Sequence, residues 1–237
     1  MTIGKYSSSI SALKLDKDVL RKNTLILAEE GSGKTNLASK IRKFAIDSST
    51  PTLYMDFSNP SIDDVEKRYI DSDFNYLRFD ESEEFSRSLN ALIDARAHIY
   101  LAVNPDYFTN KRDKKSTLSQ MISNKALLDN YYYFFHEIAQ LNAFYTKFED
   151  FLLYLFGLIH MQKFGMTFLT QPHEIFENAQ LKLLFSNLFV GRCSNANYFN
   201  TAVLKNLGRN RFYFQHRLNH CSLLFNPIKS DIVTIYE

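Results

Sequence analysis

Apolar positions in this chain come in short unbroken runs, set apart by segments with helical spacing. Thr24 to Ala28 (TLILA) runs straight into a glycine-containing turn, and from Asn36 to Ala45 the residues Leu37, Ile41 and Phe44 recur at helical intervals. The pattern predicts strand, loop and helix. Thr52 to Phe57 (TLYMDF) follows Pro51 and stops at Asn59 and Pro60, and His98 to Val103 (HIYLAV) stops at Asn104 and Pro105, as strands do. Tyr131 to Phe135 (YYYFF), a helical segment from about Asn142 to Lys163, Met166 to Thr170 (MTFLT) and Phe185 to Val190 complete the series. These runs do not alternate with polar residues, so they predict strands covered on both faces: an α/β class with a mostly parallel central sheet. No repeat, low-complexity tract or long linker interrupts them, which predicts a single domain over residues 1–237. The lysine-rich stretch Thr109 to Ser116 (TNKRDKKS) is predicted as a long exposed loop.

Composition narrows the class without naming a function. A chain of 237 residues with 45% hydrophobic and 23% charged positions is neither a disordered tail, a collagen-like fibre nor a disulfide-dense miniprotein. Cys193 and Cys221 are its only cysteines, and MTIGKYSSSI has neither the basic start nor the apolar core of a signal peptide, so an intracellular, reduced protein is expected. The longest apolar run, Phe151 to Ile159, is about half the roughly 20 residues that cross a bilayer, and predicts a buried helix with no transmembrane segment. The net charge of +2 hides a strong segregation. Asp56 to Glu84 holds ten acids against Lys67, Arg68 and Arg78, whereas Asn178 to Ser230 holds no acid and seven bases: Lys182, Arg192, Lys205, Arg209, Arg211, Arg217 and Lys229. Two readings stay open: solvated faces that keep the protein soluble, or a basic part that meets phosphate backbones.

Ala28, Glu29, Glu30, Gly31, Ser32, Gly33, Lys34 and Thr35 read A-x-x-x-x-G-K-T, the Walker A pattern with alanine for its first glycine. Gly31 and Gly33 let the backbone curl so that its N–H groups face phosphate oxygens, and the following helix adds its positive end. Lys34 is placed to reach the β and γ phosphates and Thr35 to put its hydroxyl on Mg²⁺. The nucleotide contacts are therefore expected along Glu30, Gly31, Ser32, Gly33, Lys34, Thr35 and Asn36. The carboxylates of Glu29 and Glu30 repel a triphosphate, so they must point outward or serve a neighbouring group.

Hydrolysis also needs a group that orients water. YYYFFHE, ending at Glu137, matches a Walker B strand with a catalytic glutamate, although His136 stands where an aspartate normally holds the magnesium-bound water. A neutral imidazole can accept a hydrogen bond from that water but lacks the charge, so His136→Asp is expected to tighten Mg²⁺ dependence. The alternative is a buried strand whose His-Glu end caps the next helix. FLTQP places Gln171 at the tip of a further strand, 34 residues beyond Glu137, where a glutamine can touch the γ phosphate or the attacking water.

Taken in order, TLILAEEGSGKTNLA, PTLYMDFSNP, YYYFFHEIAQL and HMQKFGMTFLTQP resemble the four motifs of the HerA/FtsK superfamily of ring-forming, DNA-pumping P-loop ATPases, over about Leu15 to Gly208. The resemblance implies a RecA-like P-loop NTPase, a three-layer sandwich in which Lys34 and Thr35 hold ATP and Mg²⁺, Glu137 activates water and Gln171 senses the γ phosphate. On the same resemblance, His136 is expected to reach the metal only through a water. It further implies a homo-oligomeric ring, of hexamer type, with an arginine supplied in trans; Arg96, Arg112 and Arg192 are the candidates. Size and the lack of an extra domain make the chain similar to the genome-packaging ATPases of tailless membrane-containing viruses of tectivirus and corticovirus type. That implies double-stranded DNA gripped with little sequence preference, a capsid vertex or viral membrane protein as further partner, and a place in the host cytoplasm or the virion. For the loop bearing Lys111, Arg112, Lys114 and Lys115, a DNA contact and an ordinary exposed turn are both open. Two rivals remain: a nucleotide-gated assembly or scaffold protein with weak or no hydrolysis, and an unrelated phosphate-loop enzyme acting on a small molecule.

Overall fold

Strand runs that need no polar alternation should pair with strands on both edges, and in a computed structural model of the chain Thr24–Leu27 and Thr52–Asp56 do. The structure describes residues 1–8, 11–16, 19–68, 74–80, 82–108, 124–143, 148–160, 164–177, 181, 183–194, 201–217 and 228–237. The loop Thr109 to Ser116 and Cys221 lie outside these residues, as do parts of the segment from Asn142 to Lys163. The chain divides into two compact units, one made of Met1–Phe44 with Gly165–Glu237 and the other of Ala45–Phe164.

In the first unit, β3 (Thr24–Leu27) is flanked in parallel by β8 (Met166–Thr170) and β9 (Asn187–Val190). All of β3 is buried, which is why its sequence can be apolar on both faces. Beyond β9 the pairing turns antiparallel, through β10 (Arg211–Arg217), β11 (Ile228–Ile235), β1 (Thr2–Tyr6) and β2 (Ala12–Lys14). Helix α1 (Lys34–Asp47) leaves the loop after β3, and α6 (Thr201–Lys205) precedes β10. The expected α/β class with parallel strands at its centre is thus observed, and the antiparallel edge is an addition to it.

The second unit orders its strands β7 (Tyr132–His136), β4 (Thr52–Asp56), β6 (Ile99–Ala102) and β5 (Asn75–Arg78), all parallel. Its helices are α2 (Ile62–Arg68), α3 (Glu83–Asp94), α4 (Lys125–Asn130) and α5 (Phe148–His160). Within α5 the side chains of Phe151, Leu152, Leu155 and Phe156 are buried but Leu153 and Tyr154 are exposed, so one face of the run expected to be buried is open. Among the described residues no helix is long and apolar enough to cross a membrane. Register puts an aromatic row across all four strands: Tyr76, Tyr100, Tyr54 and Phe134 are cross-strand partners. Their rings stack at centroid distances of 6.1, 5.0 and 5.4 Å. Each such pair adds about 0.5–1.5 kcal/mol beyond its buried area. The row fixes the register, and two residues further along the same face the next partners are Asp56 and His136.

The hydroxyl of Tyr133, by contrast, is buried with no hydrogen-bond partner among the described residues. Burial pushes its pKa far up, so it stays neutral and simply forgoes a bond it had in water. Tyr133→Phe is expected to stabilise the fold by about 1 kcal/mol, a rise of about 2–4 °C in Tm. An unchanged or lowered Tm by thermal denaturation would show that the hydroxyl is satisfied.

Candidate functional site

The loop between β3 and α1 has the backbone that its glycines permit. Gly31 and Gly33 take φ of 73° and 97°, in the left-handed region where a side chain is strained. At Gly33 space is also lacking, because a Cβ would fall 2.1 Å from Oδ1 of Asn210. Lys34 opens α1 and is only 7% exposed, and its Nζ donates a hydrogen bond of 2.7 Å to the carbonyl of Ala28, closing the loop on itself. The hydroxyl of Ser32 is buried, the residue 2% exposed, and has no partner among the described residues. An unpartnered donor inside a glycine-hinged turn, beside a buried ammonium and at a helix N-terminus, fits a phosphate group. Thr35 and Asn36 stand in the first turn of α1, half-buried.

Neighbouring strands account for the two odd features of this loop. Ala28, where the pattern has glycine, is fully buried, and its methyl faces Gly191, where a Cβ would come within 2.7 Å of it. Gly191 follows Val190, the β9 partner of Leu27, so a glycine one strand over makes room for the methyl. Glu29 serves a neighbour: its Oε1 accepts from the Ser194 N–H at 2.5 Å and its Oε2 lies 3.4 Å from Nε of Arg192. Hydrogen bonds from Ser194, helped by the charge of Arg192, lower the pKa of Glu29. Glu30 is exposed, with its carbonyl accepting from Arg192 at 3.3 Å. Arg192, one candidate for action in trans, is thus engaged within its own chain; Arg96 is exposed at the end of α3, and Arg112 is outside the described residues. Burial, with the charge of Glu29, pushes the Cys193 thiol up to about 12, which disfavours its thiolate.

Asn210 was not singled out by its sequence context, yet it braces the loop. Its N–H donates to the Ser32 carbonyl at 3.0 Å, its Oδ1 accepts from Asn36 at 3.1 Å, and its Nδ2 donates to Glu237 at 3.3 Å. It holds φ at 59°, a conformation asparagine tolerates better than most residues. Asn210→Ala is expected to lower ATP affinity about tenfold, or 1.4 kcal/mol, with Lys34 intact. Titration of a fluorescent ATP analogue checks this, and unchanged affinity would reduce Asn210 to a fold residue.

Gln171 is exposed directly after β8, whose last residue Thr170 pairs with Leu27 and accepts from the Ala28 N–H at 3.3 Å. The structure therefore brings Gln171 beside the start of the phosphate loop, as the order of motifs suggested.

In the second unit, β7 ends at His136, and Glu137 follows it directly. Glu137 takes φ of 54°, left-handed for a non-glycine residue, and such backbone costs about 1–3 kcal/mol. His136 is not alone at the end of its strand, because its cross-strand partner Asp56 is fully buried with Oδ2 2.8 Å from Nδ1 of His136. Oδ2 also accepts from the Tyr100 hydroxyl, and Oδ1 accepts from the Ser58 N–H and hydroxyl at 2.8 and 2.6 Å. Burial works to raise the Asp56 pKa, but the hydrogen bond and charge of His136, with Ser58 and Tyr100, hold the carboxyl below its ordinary value. On the other side of the ring, Nε2 lies 3.8 Å from Oε1 of Glu137. Asp56 thus does not belong to the solvated acidic face in which its segment was counted. A lone acid closing an otherwise apolar strand was the signal for it.

No protein-family profile matches the sequence, and no curated protein matches it. Solved structures do resemble it in fold. The flagellar accessory protein FlaH of Methanocaldococcus jannaschii is 13% identical at TM-score 0.54, covering 92% of this chain and 91% of its own. The genome packaging NTPase B204 of Sulfolobus turreted icosahedral virus 2, in complex with ATPγS, is 12% identical at TM-score 0.53, covering 89% and 96%. The pCW3 conjugation coupling protein TcpA with ATPγS is 13% identical at TM-score 0.56, covering all of this chain and 65% of its own. At such identity the likeness is one of fold alone: a RecA-like P-loop fold, a mostly parallel sheet flanked by helices.

Proposed function

We propose that the chain is an ATP-driven double-stranded DNA translocase that packages a viral genome, with residues 1–237 acting as one ATPase domain. The observation that carries the ATPase part is the glycine-hinged loop after β3, with its buried Lys34 ammonium and unpartnered Ser32 hydroxyl. In this reading the loop backbone from Glu30 to Asn36 and Lys34 bind the triphosphate, and Thr35 supplies its hydroxyl to Mg²⁺. The bound ion neutralises charge on the phosphates. Glu137 turns a water against the γ phosphate, and Gln171 registers the loss of that phosphate. Likeness in fold to a packaging NTPase and to a conjugation coupling protein supports the DNA part. The chain's acid-free C-terminal part, with Lys205, Arg209 and Arg211 exposed among its described residues, supplies a surface for phosphates. The assembly is a homo-oligomeric ring of hexamer type around the duplex, with an arginine given in trans and a capsid vertex or viral membrane protein beside it, in the host cytoplasm or the virion.

Anisotropy titration of two duplexes of unrelated sequence, with ATPγS present, tests the DNA part. Equal affinities that fall steeply with salt are expected, since counterion release carries no sequence information. A marked preference for one duplex, or no binding to either, would overturn it. A second reading, an assembly protein gated by ATP without turnover, draws on His136 in place of an acid. Tight ATP binding with no hydrolysis in the assembled state would favour it.

A further inference from the structure

We propose that Asp56 is a positioning residue of the hydrolytic centre, which holds the His136 ring with its hydrogen on Nδ1 and so presents a bare Nε2 on the side of Glu137. This deepens the reading above and rests on its assignment of Glu137 as the residue that directs water. Parallel pairing of β4 with β7 sets Asp56 opposite His136, and the stacked row two residues earlier, Tyr100, Tyr54 and Phe134, keeps the strands from slipping.

Both Asp56 oxygens are spoken for: Oδ1 by the Ser58 N–H and hydroxyl, and Oδ2 by the Tyr100 hydroxyl and by Nδ1 of His136 at 2.8 Å. A carboxylate so enclosed has no free lone pair to offer a substrate or metal. Its remaining chemical output is the choice of which ring nitrogen carries hydrogen. Because it only accepts, the shared hydrogen must sit on Nδ1. A buried carboxylate that fixes an imidazole in this way also gives the ring electron density and charge that a lone histidine lacks. The left-handed backbone of Glu137 then carries its carboxylate to 3.8 Å from Nε2, past hydrogen-bond length and close enough for a shared water.

The arrangement changes one expectation. Read alone, the sequence makes His136→Asp a repair of the Walker B motif; with Asp56 fully buried opposite it, the substitution would press two carboxylates together, so loss of stability is expected instead.

The test uses the full chain labelled with ¹⁵N and two-bond ¹H–¹⁵N spectra of its histidines at pH 8, with His136 assigned by its absence in His136→Asn. The wild-type ring is expected to carry hydrogen on Nδ1. In Asp56→Asn the amide oxygen stays with the Ser58 N–H and turns the NH₂ toward the ring, so the hydrogen is expected to move to Nε2. Steady-state kcat should fall about 10- to 100-fold with ATP affinity unchanged. A wild-type ring with hydrogen on Nε2 overturns the proposal even if the variant does not fold, and so does an Asp56→Asn protein with wild-type kcat. If Glu137→Gln hydrolyses ATP as fast as wild type, the reading beneath the proposal fails, and that failure is told apart by the Glu137 variant alone.

Discussion

Lys34→Ala is expected to lose most of its ATP affinity while the protein stays folded. Its ammonium is buried and donates a hydrogen bond of 2.7 Å to the Ala28 carbonyl. Charge-assisted bonds to phosphate exceed a bond to a neutral carbonyl, so the ammonium has a better partner in ATP than in its own loop. Removing it costs one or two such bonds at about 1.5–3 kcal/mol each, which raises the dissociation constant by about tenfold to about 10⁴-fold. The loop also loses its internal tie to Ala28. Circular dichroism therefore accompanies the titration: native spectrum with lost binding is the expected pair, and retained binding would remove Lys34 from the nucleotide site.

Glu137→Gln is expected to leave ATP affinity within about threefold of wild type and to lower kcat by about 10²–10⁴-fold, the range in which a positioned general base acts. Gln keeps the shape of the side chain, and the left-handed φ of 54° belongs to the backbone after β7 rather than to the carboxylate, so the fold should not respond. What disappears is the carboxylate proposed to draw a proton from water. Turnover unchanged in the variant would take Glu137 out of the chemistry and leave its strained backbone without a catalytic reason.

Much of the parallel core was legible because its strands are buried on both faces. Thr24–Leu27, Met166–Thr170 and Thr52–Asp56 lie where unbroken apolar runs put them, and the helix after the phosphate loop starts at Lys34, two residues before its apolar spacing begins. The antiparallel edge was not read. Gly4 pairs with Ile235, and no local pattern announces a partner at that separation. Arg211–Arg217 and Ile228–Ile235 do alternate in part, and that alternation was the signal passed over.

At the site, the two departures from the motif pattern look alike in the sequence as defects. In the fold each has a counterpart on the neighbouring strand. Gly191 makes space for the Ala28 methyl, and Asp56 supplies the carboxylate that His136 lacks. Both compensations depend on register, which follows from tertiary pairing and cannot be derived from spacing along one strand. Asn210 was hidden for the same reason, since its contacts reach Ser32 and Glu237 from the turn before β10.

The central claim is that this chain hydrolyses ATP to move along DNA. Steady-state ATP hydrolysis by the purified protein, with and without double-stranded DNA and with Glu137→Gln beside it, tests that claim most directly. Turnover is expected to rise with DNA and to vanish in the variant. Equal turnover with and without DNA, or none while ATP still binds to the assembled ring, would contradict it.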